Sequence, residues 1–318
     1  MKIMKMSLLM IVIFCAVALT GQALAENVKI AMVLPGNISD KSWNQAGYEG
    51  LMRVKDELGF EVAYSEKVPQ PDQAEAMADY ARRGYHYVIG HGGEFQEAAS
   101  RVARKYPEVM FIVHNGINPA KNVATVGIDL KQIGVVVGYI AGKMSKTGKG
   151  GYICAQKLKK YVELGDTFAA GFKRARADGK TSIAWTNDWD DIAKGKEAAL
   201  NQINQGADVV FPTMDNATIG SLQAAKEKGV YAIGMYYDAY SDWPDIILNS
   251  AIVNWRQAMV ELFTIAKDGK GLEGKDYLWD LNYPKVLNIG TYHPSVPESV
   301  RSEAAQLLEQ VKTGAVKP

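Results

Sequence analysis

Short, β-branched apolar runs alternate with stretches in which apolar residues recur every three or four positions, and the alternation persists along most of the chain. The runs predict strands over 28–34, 61–65, 85–91, 109–115 and 122–127, and again over 151–155, 182–186, 208–212, 230–235 and 246–252. Between them, Leu51, Val54 and Leu58 fall one turn apart on one helix face. Asp72 with Glu75 resembles a capping box that opens a helix ending near Arg83. Beyond 252 the pattern gives a helix over 255–267, an extended stretch over 277–287, a turn at Tyr292-His293-Pro294 and a last helix over 297–314. A βα order of this kind predicts parallel sheets covered by helices.

The pattern breaks midway. Lys146-Thr147-Gly148-Lys149-Gly150-Gly151 is polar and glycine-rich, and reads as a crossing between two lobes. The expected fold is α/β, with two Rossmann-like lobes of parallel sheet joined by a multi-strand hinge and closing around a cleft. Residues 26–145 with 253–275 are expected to form one lobe, and 146–252 with 276–318 the other.

The first residues bear on compartment. Lys2 and Lys5 precede an apolar segment over 7–19, and Ala23-Leu24-Ala25 offers a small-x-small cleavage site, so 1–25 read as a cleaved signal peptide and the mature protein as periplasmic. The apolar segment is shorter than the roughly 20 residues of a spanning helix. Phe14 and Ile13 before Cys15 argue against lipidation. The formal charge of +1 falls to −1 without the two leader lysines, and bases and acids are interspersed, which is not the footprint of a nucleic-acid partner. Only Cys154 remains after cleavage, so no intrachain disulfide is expected.

Ligands of open α/β sheets bind beyond the C-terminal ends of the strands. At the first such end stands Asp40-Lys41-Ser42-Trp43-Asn44-Gln45-Ala46-Gly47-Tyr48-Glu49-Gly50, where Trp43 offers a stacking face and Asn44 a two-sided hydrogen-bonding edge. Gly92, in His91-Gly92-Gly93-Glu94, lets backbone approach the cleft. Met214 and Asp215 follow one second-half strand, and Tyr237 and Asp238 follow Tyr236 after the next; the two carboxylates are candidate acceptors for a ring N–H or, alternatively, helix caps. Lys157, Lys159, Lys160 and Tyr161 form a basic run that reads as a solvated face, with selection of a ligand carboxylate as the alternative.

Enzyme readings find little support. His86, His91 and His114 sit in or beside strands without metal-ligand spacing, and the glycines at 148–151 lack the phosphate-loop pattern. Neither a Gly-x-Ser-x-Gly elbow nor a His-Glu-x-x-His helix occurs. Neither an enzymatic activity nor a cofactor or metal is expected.

The 40–50 motif resembles the Asp-x-Ser-Phe-Asn-Gln signature of the basic membrane protein family, the purine nucleoside receptor type of ABC-transporter substrate-binding protein. Ala103-Arg104-Lys105-Tyr106-Pro107, Ala169-Ala170-Gly171-Phe172, Ala193-Lys194-Gly195-Lys196-Glu197, Gly206-Ala207-Asp208-Val209-Val210-Phe211 and Tyr231-Ala232-Ile233-Gly234 resemble it in the same order. The resemblance implies a type I periplasmic binding fold, a purine held between an aromatic from each lobe, an inner-membrane ABC permease as partner, and a monomer. It maps the aromatics onto Trp43 and Trp189, with Asp188, Asp190 and Asp191 beside the latter, and the edge-reading amide onto Asn44. Where nucleoside-binding members grip ribose with two Asp and a Lys, this chain has Leu34, Tyr236 and Val253. A buried sugar hydroxyl without a partner costs roughly 1–3 kcal/mol, so the resemblance with these departures implies a free base, adenine-like, rather than a nucleoside. A nucleoside, another planar solute, or a periplasmic signalling role are the alternatives.

Overall fold

The computed structural model describes residues 28–39, 43–269 and 271–318; the expected signal peptide and residues 40–42 of the cleft motif lie outside the described residues. The strands are β1 (Lys29–Val33), β2 (Glu61–Ser65), β3 (Tyr87–Gly90), β4 (Met110–His114), β5 (Val123–Ile128), β6 (Lys149–Cys154), β7 (Lys180–Trp185), β8 (Val209–Thr213), β9 (Tyr231–Tyr236), β10 (Ile247–Val253), β11 (Asp276–Trp279) and β12 (Leu287–Ile289). They form two six-stranded sheets, ordered β11-β5-β4-β3-β1-β2 and β12-β10-β9-β8-β6-β7. Every pairing is parallel except β10 with β12.

The helices are α1 (Trp43–Leu58), α2 (Gln73–Arg82), α3 (Gln96–Ala103), α4 (Leu130–Met144), α5 (Lys159–Ala175), α6 (Ile192–Asn204), α7 (Ala217–Lys228), α8 (Trp255–Asp268) and α9 (Glu298–Lys312). Strands covered on both faces need apolar residues at every position. Accordingly, Ile30, Met32, Ile89 and Ile112 enter one core layer, and their neighbours Ala31, Val33, Val88 and Val113 enter the layer on the other face. Among the described residues no helix is long and apolar enough to cross a membrane.

The crossings between lobes differ from those expected. Helix α4 does not stay with the first sheet; it packs against α5 and β10 of the second. Glycines make that seam close: a Cβ on Gly138 would lie 2.1 Å from the Phe168 carbonyl oxygen, and one on Gly171 2.0 Å from that of Val135. The first crossing is therefore the junction of β5 and α4. The 146–151 segment is a turn inside the second lobe, where the Asp208 carboxylate accepts from the Ser145 hydroxyl (2.5 Å) and from Lys146 N–H (2.6 Å) and Thr147 N–H (2.9 Å).

The chain returns after β10 into α8, which packs on α1 with Met259 against Gly50. Strand β11 then pairs with β5, so 276–279 complete the first sheet rather than the second. The final crossing follows Trp279, and α9 closes against α4. Two of the crossings are fixed by side-chain caps: Asp129 accepts from Lys131 N–H and Asn254 from Gln257 N–H. Asp129 N–H also donates to the Trp279 carbonyl at 2.8 Å, which ties the first crossing to the last. The expected capping box does not form. A 3₁₀ turn over Gln70–Asp72 leads into α2, Asp72 makes no side-chain cap, and Glu75 pairs with Arg82 at 2.7 Å.

Candidate ligand-binding cleft

On the first lobe the site is built from the loops after β1, β3 and β4 and from the start of α8. Trp43 opens α1, and its indole stacks on His91 with centroids 4.0 Å apart and planes at 17°. The two residues exchange hydrogen bonds: Trp43 Nε1 donates to the His91 carbonyl (3.2 Å), and His91 Nε2 donates to the Trp43 carbonyl (2.9 Å). A carbonyl only accepts, so a neutral His91 carries its proton on Nε2 and its bare Nδ1 receives the Nδ1–H of His114 at 2.7 Å. Trp255 meets the Trp43 edge at 5.1 Å and 89°. One indole face is thus covered by a locked imidazole.

Both histidines are buried, and among the described residues His114 Nε2 has no hydrogen-bond partner. Burial, with the neighbouring His91 adding to it, holds the His114 pKa well below the usual imidazole value. Asn44 folds back so that its Oδ1 accepts from Gly36 N–H at 2.9 Å, a position a side chain at 36 would occupy. Its carbonyl oxygen thus holds the strand-end loop. Gly92 has φ 150°, and a Cβ there would strike the Glu94 carboxylate at 2.2 Å, so only glycine fits the turn.

On the second lobe the site comes from the starts of α5 and the loops after β7, β8 and β9. Tyr161 and Trp189 rings lie 5.3 Å apart at 55°. The Tyr161 and Tyr236 hydroxyls are 2.9 Å apart, and Tyr236 holds an unfavourable positive φ of 73° to reach it. Burial raises both phenol pKa values, and the Asp215 charge raises them further. The Trp189 carbonyl accepts from Asp215 N–H and Ala217 N–H, each at 3.1 Å, so the aromatic and carboxylate loops are joined. Asp188 accepts from Asp190 and Asp191 N–H and from Lys194 Nζ, bonds that lower its pKa. These aspartates shape the loop.

Lys160 bridges the lobes. Its ammonium lies 4.8 Å from the Tyr161 centroid and 5.9 Å from that of Trp43 on the opposite lobe. Trp43, Lys160, Tyr161, Trp189, Asp215 and Tyr236 thus converge on one interlobe space. Three other expected site residues are engaged by contacts outside this cluster. Met214 is 2% exposed and packs in a core cluster beneath Trp189, its sulfur accepting from the Thr186 hydroxyl. Asp238 is tied to the loop after β12, with Oδ2 accepting from Thr291 N–H (3.0 Å) and Oγ1 (2.7 Å). Tyr237 is 51% exposed and leans on Asp242.

Sequence patterning missed the His91–His114 support, whose only signal was two histidines at neighbouring strand ends. It also favoured a solvated face for Lys160 and its run over a role in ligand selection, whereas the first turn of the helix after β6 places that residue between Tyr161 and Trp43.

The family model described as "Bmp: ABC transporter substrate-binding protein PnrA-like" matches residues 27–313. The transcriptional activator protein med of Bacillus subtilis is 31% identical over 288 residues, spanning 90% of this chain and 89% of that protein. A purine-binding protein of Brucella abortus is 24% identical over 296 residues, spanning 92% and 83%. Among solved structures, a transcriptional activator of the comK gene from Bacillus halodurans superposes with TM-score 0.80 at 24% identity, covering 91% of this chain and 99% of that one.

Proposed function

We propose, from the premise that this chain belongs to the Bmp family of PnrA-like ABC transporter substrate-binding proteins, that it captures a purine nucleobase between its lobes and presents it to an ABC permease. The observation that carries the reading is the indole of Trp43, backed by His91 and Trp255 on one lobe and reached from the other by Lys160, which stands beside Tyr161 and, through it, Trp189. A flat heteroaromatic ring suits such a slot, and an aromatic pair in good geometry adds roughly 0.5–1.5 kcal/mol beyond area burial. No chemistry on the ligand is involved, since the family binds and does not transform its substrates. The printed name of the Brucella relative, a purine-binding protein, supports the ligand class.

A base is favoured over a nucleoside because the positions that would meet ribose are apolar or occupied. Leu34 and Val253 are buried in the core, and the Tyr236 hydroxyl is engaged by Tyr161. Capture proceeds by docking on Trp43, followed by hinge closure that brings Trp189 and Tyr161 over the ring. Export to the periplasm by a cleaved leader, and action as a monomer, belong to the same proposal.

The test is calorimetric titration of mature protein, unfolded and refolded to strip carried-over ligand, with adenine and adenosine in parallel. Adenosine weaker by at least about tenfold, or about 1.4 kcal/mol, supports the base reading. Adenosine binding better overturns it, and binding of neither removes the purine assignment. A second reading has a specific observation behind it, namely that the Bacillus relatives are named transcriptional activators. In that reading the closed form engages a signalling partner in place of a permease, and loss of purine uptake on deletion of the gene decides against it.

A further inference from the structure

Lys160 carries an ammonium that meets no acceptor among the described residues. Among the described residues its Nζ makes no hydrogen bond and no ion pair, and its contacts are the faces of Tyr161 and Trp43. Lys160 is half-buried, and three N–H donors set against aromatic faces are less well satisfied than the same donors on an oxygen. The other lysines of the run, Lys157 and Lys159, are exposed, so Lys160 alone turns inward. Its placement follows from the chain: Leu158 supplies an extended N-cap residue, and the first turn of α5 then carries Lys160 and Tyr161 toward the cleft.

Asp215, whose N–H donates to the Trp189 carbonyl at 3.1 Å, stands on the same lobe, and its charge acts on Lys160, Tyr161 and Tyr236. Desolvation lowers the Lys160 pKa to about 8, while Cys154 and Asp215 pull the other way, so the ammonium is the dominant form at neutral pH.

We propose that Lys160 is the specificity-determining residue of the cleft, donating to a ring carbonyl oxygen, and that the site takes a 6-oxopurine of the hypoxanthine type ahead of adenine. The inference rests on the purine reading above and revises its adenine-like form. A 6-oxopurine presents a carbonyl oxygen to the ammonium at the edge where adenine presents an amino group. The first contact pairs a donor with an acceptor, and the second sets donor against donor.

The experiment is calorimetric titration of refolded mature protein with hypoxanthine and adenine, in the wild type and in Lys160→Met and Lys160→Gln, with thermal melts to verify folding. The expected result is hypoxanthine tighter than adenine by at least about tenfold in the wild type, with the preference collapsing in both variants. The wild-type ratio stands without the variants should they fold poorly. Adenine bound equally or better, or a preference that survives in folded variants, overturns the role of Lys160 and leaves the purine reading intact. Binding of neither base by the wild type overturns both.

Discussion

Acid should loosen the support under Trp43, through His114. The imidazole is buried, neutral and donating to His91, and protonation would place a charge against a second histidine where the described residues offer its Nε2 no acceptor. Its folded pKa is depressed, so the unfolded chain binds the proton more readily. Stability from this group is therefore fully present above the unfolded value, near 6.5, and is lost as pH falls toward the folded pKa. Each pH unit in that window removes about 1.4 kcal/mol. Between about pH 6.5 and 5.0 the wild type should lose up to about 2 kcal/mol more than a variant that cannot titrate there. His114→Asn is the apt variant, because its amide keeps a donor toward His91 without a proton to gain. Urea unfolding of both proteins at about pH 7.5 and 5.0, followed by tryptophan fluorescence, measures the difference, and common carboxylate titration cancels. Identical pH dependence in the two proteins would refute the reasoning.

Gly171→Ala should destabilise the second lobe by about 1–3 kcal/mol, because the added methyl meets the Val135 carbonyl and the α4–α5 seam must open; a thermal melt checks it, with ligand affinity retained below the transition. Hypoxanthine affinity should be flat below about pH 8 and fall by up to about tenfold per unit above it, since the free site loses the Lys160 proton that the complex retains. Titration across that range in the wild type and in Lys160→Met isolates the lysine, because the base's own ionisation is common to both.

The strand cores are legible because buried parallel strands, such as β4 and β8, leave a continuous apolar signal. Crossings are not. The true junctions at Ile128, Val253 and Trp279 are apolar strand ends that look like any other, whereas the conspicuous glycine-rich run at 146–151 is only a turn satisfied by Asp208. Single aromatic positions such as Trp43 and Trp189 were visible from their place after strands. The direction of a side chain was not: Asp215 and Asp238 follow successive strands alike, yet Asp238 is held by Thr291 from a segment some fifty residues away in sequence, and no local pattern encodes that. Lys160 posed the converse problem, one inward lysine in a run of outward ones.

The late return of the chain to the first lobe has a consequence for the order of folding. Strand β5 gains its outer partner only when β11 arrives, and β10 gains its own only from β12. A nascent chain that has emerged as far as Val253 therefore presents two unpaired edges, each a template for another chain. Neither lobe is a continuous stretch of sequence, so neither can be finished, or excised, ahead of the other. Completion depends on contacts of long sequence separation, which form slowly. The same threading that gives the hinge its several strands keeps the polypeptide open until nearly all of it has been made.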